Sequence, residues 1–136
     1  MSTVLTEIDF CHGITLGLCD LRVKQIDFLS DAGHAAALEV FTYIERSCRD
    51  QFDLEFVIIL HEVWCTSGDW RSIVFTLTVA GLLSRSTDGM FHVQAHQEDL
   101  DMWFERQRGS REFWKSCAEM YLAAFNDYNR LHPRFV

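Results

Sequence analysis

Proline occurs once in this chain of 136 residues, at Pro133, and no Gly/Ser-rich linker, repeat or low-complexity tract divides it. A chain so poor in backbone breakers is expected to consist of helices joined by short turns. Its length fits one domain, residues 1–136, and leaves no room for two full cores. With 49% hydrophobic residues it can fill that core, which excludes a disordered chain.

Periodicity supports this reading at both ends of the chain. Between positions 20 and 50, Ile26, Leu29, Gly33, Ala36, Ala37, Val40, Phe41, Ile44 and Cys48 recur at steps of three and four, the apolar stripe of an amphipathic helix. Asp31, Glu39, Glu45, Arg46 and Arg49 fall on its polar side. Near the end, Ser110 can cap a helix whose inner face is Phe113, Trp114, Cys117, Met120, Tyr121, Ala124, Phe125, Tyr128 and Leu131, with Pro133 as its stop. Thr87 or Asp88 is expected to cap another helix carrying Phe91, Ala95, Leu100, Trp103 and Phe104, ended by Gly109.

The middle is ambiguous on pattern alone. The apolar stretches at 54–64 and 73–83 are rich in Val, Ile, Phe and Thr, and Phe75, Leu77 and Val79 alternate as a strand would. Their length favours two helices buried on most sides, wrapped by the amphipathic ones in an all-α bundle. Val4, Leu5, Ile8 and Cys11 form a short helical stripe at the start.

Charge and cysteine usage narrow the function classes. A formal net charge of −8 excludes a phosphate backbone as the expected partner and suits a partner helix carrying basic residues. The five cysteines, Cys11, Cys19, Cys48, Cys65 and Cys117, are odd in number, show no C-x-x-C spacing and follow no signal-peptide pattern. Free thiols in a reducing compartment are expected. No apolar stretch reaches the roughly 20 residues needed to span a bilayer, and the last residues offer no hydrophobic anchor.

Three motifs carry a resemblance. Glu62, Val63, Trp64, Asp69, Trp70, Ile73, Val74, Ala80 and Gly81 follow the first homology region of the Bcl-2 family. Leu29, Gly33 and His34 resemble the core of its third region, and Trp114, Cys117, Glu119, Met120 and Tyr121 resemble its second. The order matches, and together the matches cover most of positions 23–121. The chain departs where the family has Gly-Arg after the tryptophan and this sequence has Arg71-Ser72, and where the family's Asp is His34. A shift of one residue is about 100° around a helix, so Arg71 leaves the family's direction.

The resemblance implies an all-α, Bcl-2-like bundle with central hydrophobic helices and a surface groove, most like a short viral homologue. It implies an anti-apoptotic regulator that sequesters the Bcl-2 homology 3 helix of pro-apoptotic proteins, in the host cytoplasm or at mitochondria through partners. Carried over residue by residue, Val40, Phe41 and Ile44 would form one groove wall and Ile59, Glu62 and Val63 the other. Asp69, Trp70, Arg71 and Val74 would form the floor, and Tyr121 would close one end. No cofactor and no enzymatic step are implied, and an open apolar groove invites a homodimer that covers it.

Two other classes stand beside this one: the same fold inhibiting another signalling pathway through an outer face, and a small α/β enzyme with strands in the middle. Chemistry-bearing residues give the enzyme little support. His92 and His96 share a helical face but have no evident third ligand. His61-Glu62 has no second histidine to bind zinc, and Cys11-His12 are neighbours that would not face each other. Arg106, Arg108, Arg111 and Lys115 read as a solvated basic turn.

Overall fold

The structure is a computed structural model that describes residues 2–59 and 68–133. Its first helix, α1 (Glu7–Asp20), follows a short strand β1 (Thr3–Leu5). Thr6 starts it with a reciprocal cap: its hydroxyl accepts the Asp9 N–H at 3.2 Å while the Asp9 carboxylate accepts the Thr6 N–H at 3.0 Å. From Phe10 to Cys19 every residue except His12 is buried, so α1 is the central helix, packed against α3 (Gly68–Val79), α4 (Leu100–Arg106) and α5 (Arg111–Leu131). Gly13 and Gly17 lie one turn apart, and a Cβ on either would collide with Trp114 of α5. Their missing side chains set the close approach of the two helices.

The second amphipathic helix, α2 (Asp31–Ser47), is capped by the Ser30 hydroxyl, which accepts the Gly33 N–H at 3.1 Å. Ala36, Ala37, Val40, Phe41 and Ile44 form its buried stripe and pack it on α5. The Tyr121 hydroxyl of α5 donates to the Gly33 carbonyl at 3.0 Å, tying the two together. The Ser110 hydroxyl accepts the Phe113 N–H at 3.1 Å and starts α5 at the expected place.

Two small sheets correct the all-α expectation. Strand β3 (Phe52–Leu54) runs parallel to β1, with Val4 opposite Asp53. Strands β2 (Gln25–Ile26), β4 (Leu83–Arg85) and β5 (Phe91–Val93) form an antiparallel sheet in the order β2-β5-β4. Among the described residues the architecture is five helices with two sheets, a mixed α/β fold in which helices dominate.

Three local readings change with it. Thr87, Asp88 and Gly89 do not cap a helix; they turn the β4–β5 hairpin, with the Asp88 carboxylate accepting the Met90 N–H at 3.0 Å and Gly89 at φ +87°. That positive φ suits glycine and is a turn device rather than a helix start. The stretch at 73–83 is the end of α3 followed by β4, and α3 is amphipathic, burying Trp70, Ile73, Val74 and Leu77 while Phe75 and Val79 face solvent. Of 54–64, residues 55–59 are irregular and 60–64 lie outside the described residues. The buried central helix is α1, where only a short stripe was expected.

Candidate functional site

Six of the eleven residues expected to line a groove are brought together, but in the interior. Val40, Ile44, Trp70, Val74 and Tyr121 are fully buried and Phe41 is 5% exposed, all within one core cluster. The Trp70 indole packs 6.1 Å from the Phe10 ring, 5.8 Å from Phe28 and 6.0 Å from Tyr121, and its Nε1 donates to the Phe28 carbonyl at 2.8 Å. Asp69 and Arg71 are exposed on the first turn of α3, and Ile59 is 68% exposed. Glu62 and Val63 lie outside the described residues. The six buried side chains belong to the core and offer no surface to a ligand.

An apolar trough exists elsewhere. Between α2 and α5 lies a depression of about 540 Å³ whose floor includes Ala35, Leu38, Met120 and Ala124. Glu39 and Asp127 stand among its lining residues, and neither lysine nor arginine does. The Asp127 carboxylate is 3.4 Å from the Arg130 guanidinium, an exposed pair of little energetic weight. The trough arises because the apolar stripe of α5 runs on past the surface that α1 and α2 cover. Met120 and Ala124 are only half-buried and Leu131 is 65% exposed. In the sequence, the stripe's length and the small residues Ala35, Ala123 and Ala124 were the signals. The periodicity places Met120, Ala124 and Leu131 on the inner face of the last helix and assigns no place to Ala35 or Ala123.

Two members of the basic cluster, Arg108 and Arg111, clasp other parts of the fold. Arg111 binds the Asp20 carboxylate through two bonds of 2.9 and 3.0 Å, also meets Asp101, and lies over the Phe104 ring. Arg108 donates to the Val4 carbonyl at 2.7 Å. Hydrogen bonding to Arg111 holds the Asp20 carboxyl below its usual range. Burial makes Cys11 and Cys117 poor nucleophiles: it raises Cys11 far above its ordinary value and pushes Cys117 up to about 12, with Cys48 adding to the latter. Among the described residues, no group of three or more His, Cys, Asp or Glu is arranged to hold a metal ion.

Two histidines carry a pH dependence. Burial lowers His34, in the first turn of α2, below 6.5; nearby Arg71 adds to this, while Asp31 and Asp27 oppose it. Burial also lowers His12, opposed by Asp9 and Gln107. Both bind a proton less readily folded than unfolded. Their contribution to stability is therefore complete above about pH 6.5 and is lost as pH falls through the folded values, at up to ~1.4 kcal/mol per pH unit each. Thermal unfolding from pH 7.5 down to 5 is expected to show a falling midpoint. The fall should be shallower in His34→Gln, and a midpoint independent of pH in this window would refute it.

No family model matches the chain, and no curated protein or solved structure is significantly similar to it.

Proposed function

We propose that this chain is an anti-apoptotic regulator without catalytic chemistry, which sequesters the amphipathic death-inducing helix of a pro-apoptotic partner in the α2–α5 trough. The trough is the observation that carries helix holding. Ala35, Ala123 and Ala124 among its lining residues give a partner helix room to approach, and apolar anchors at i, i+3, i+4 and i+7 would fill it. Its carboxylates and the net charge of −8 favour a ligand with lysines or arginines beside those anchors. The choice of a death-inducing helix rests on the three sequence motifs alone. Such partners would place the protein in the cytoplasm of a host cell.

Titration calorimetry against a panel of death-motif peptides tests the reading. Four anchors at roughly 1.5–3 kcal/mol each, less about 2–5 kcal/mol for ordering the peptide, leave roughly 1–10 kcal/mol, which reaches micromolar binding toward the upper end of that range. Replacing a peptide's anchoring Leu should abolish binding. Replacing its Asp should matter little, because Arg71 lies on α3, outside the trough. Ala123→Arg and Asp127→Lys at the trough should weaken binding about tenfold or more while leaving the fold intact. Failure of every peptide to bind, or affinity indifferent to Ala123→Arg, overturns the reading.

A second reading has its own observation. Phe75 and Val79 lie exposed one turn apart on the outer face of α3, with Arg85 6.0 Å from the Phe75 ring. A signalling inhibitor acting through an outer face would use such a patch. Binding lost in Val79→Glu but kept in Ala123→Arg favours it.

A further inference from the structure

The parallel β1–β3 pair can grow at one edge, and register shows which. The Gln51 carbonyl accepts the Thr3 N–H at 2.8 Å, and the Glu55 N–H donates to the Leu5 carbonyl at 3.2 Å. Residues 51, 53 and 55 therefore turn their backbone groups toward β1, and alternation turns those of 52, 54 and 56 away. On the far side of β1 the edge is partly occupied: the Val4 carbonyl accepts from Arg108, and the Thr6 N–H is held by the Asp9 carboxylate. On the far side of β3 the Phe52 N–H is taken by the Cys48 carbonyl at 2.9 Å, but among the described residues the Leu54 N–H and C=O have no backbone partner. Beside that edge runs a second groove of about 300 Å³, walled by Glu45 in the last turn of α2, by Arg49 just beyond it, and by residues of the strand and the segment that follows it.

The geometry points to the outer edge of β3 as a strand-addition site, which takes an extended segment of a partner protein with apolar residues on one face and lysines or arginines on the other. Side chains on this strand alternate. Phe52, Leu54 and Phe56 face inward, while Asp53, Glu55 and Val57 are exposed. An added strand would lay its apolar face beside Leu54 and set its basic residues against Asp53 and Glu55. A second copy of this chain fits poorly, because antiparallel pairing of two such edges centred on Leu54 places Asp53 opposite Glu55. Like charges facing across a ladder are destabilising. The site is separate from the α2–α5 trough and does not depend on it.

A blocked hexapeptide, Lys-Val-Lys-Val-Lys-Val, is the probe. Amide exchange measured by NMR on the whole chain should slow at Leu54 by about tenfold or more when the peptide is saturating. A version N-methylated at alternate residues should give no protection, and Glu-Val-Glu-Val-Glu-Val should not bind. Glu55→Lys, an exposed change that leaves the core untouched, should remove the preference between the two charged peptides, because Asp53 and the new lysine then offset each other. Ala123→Arg should keep the binding, which separates failure of this proposal from failure of the helix-holding one. Unchanged exchange at Leu54, or equal binding by the N-methylated peptide, overturns the proposal. So does protection already present without peptide: one that fades on dilution would assign the edge to a second copy, and one that persists would show it already covered.

Discussion

Trp70→Ala is expected to lower folding stability by about 3–5 kcal/mol, the usual cost of removing a large aromatic side chain from a core. Trp70 is fully buried, its ring is surrounded by Phe10, Phe28 and Tyr121, and its Nε1 bond to the Phe28 carbonyl joins α3 to the turn that precedes α2. Truncation leaves a cavity and an unpaired carbonyl together. Against a total stability of about 5–15 kcal/mol, the loss should lower the thermal midpoint by ~10 °C or more. Urea unfolding gives the sharper reading, because the midpoint should fall with little change in slope. The groove expected from the sequence would instead have Trp70 touch a ligand, so that the variant bound weakly and folded almost normally. A loss below about 1 kcal/mol would place the indole at the surface.

Gly17→Ala has a sign that is informative by itself. Alanine in a helix interior is favoured over glycine by about 1 kcal/mol, so helix propensity alone predicts stabilisation. At Gly17 the new Cβ would lie 2.8 Å from the Ala118 Cβ and 2.9 Å from the Trp114 carbonyl carbon, and closer still to its oxygen. Backbone cannot rotate aside as a side chain does, so α1 and α5 must separate. Overpacking of this kind costs about 1–3 kcal/mol and sometimes more. Net destabilisation is therefore expected by chemical denaturation. A gain in stability would mean that the helices sit farther apart than the close approach at Gly13 and Gly17 requires.

What could be read beforehand follows from how each element meets its neighbours. α2 and α5 each bury one stripe, so the three-and-four spacing of Ala36, Val40 and Ile44, or of Trp114, Cys117 and Tyr121, survives in the sequence. The Ser110 cap and Pro133 mark the ends of α5 because capping chemistry is local. α1 leaves no such trace. It is buried almost all round, so its apolar residues have no period, and its two glycines look like breakers although they are contacts. The hairpin was hidden for a different reason: Phe91 and Ala95 fall at a helical spacing, while Asp88 and Gly89 serve a turn as readily as a cap.

The sequence by itself determined that two amphipathic helices would form and where the last of them begins and ends, and among the described residues no helix is long and apolar enough to cross a membrane. It also carried the family-like motifs around Gly33, Trp70 and Trp114. Tertiary structure alone decided which way those residues point. Apolar side chains of the same type and spacing can wall a groove or fill a core, and the choice depends on what packs against them. Here α1 fills the space beside Phe41, Trp70 and Tyr121, which buries them, while nothing among the described residues covers the last turns of α5. The paired strands were likewise settled only by partners distant in the chain, since β1 finds β3 some 50 residues away and neither is long enough to announce itself.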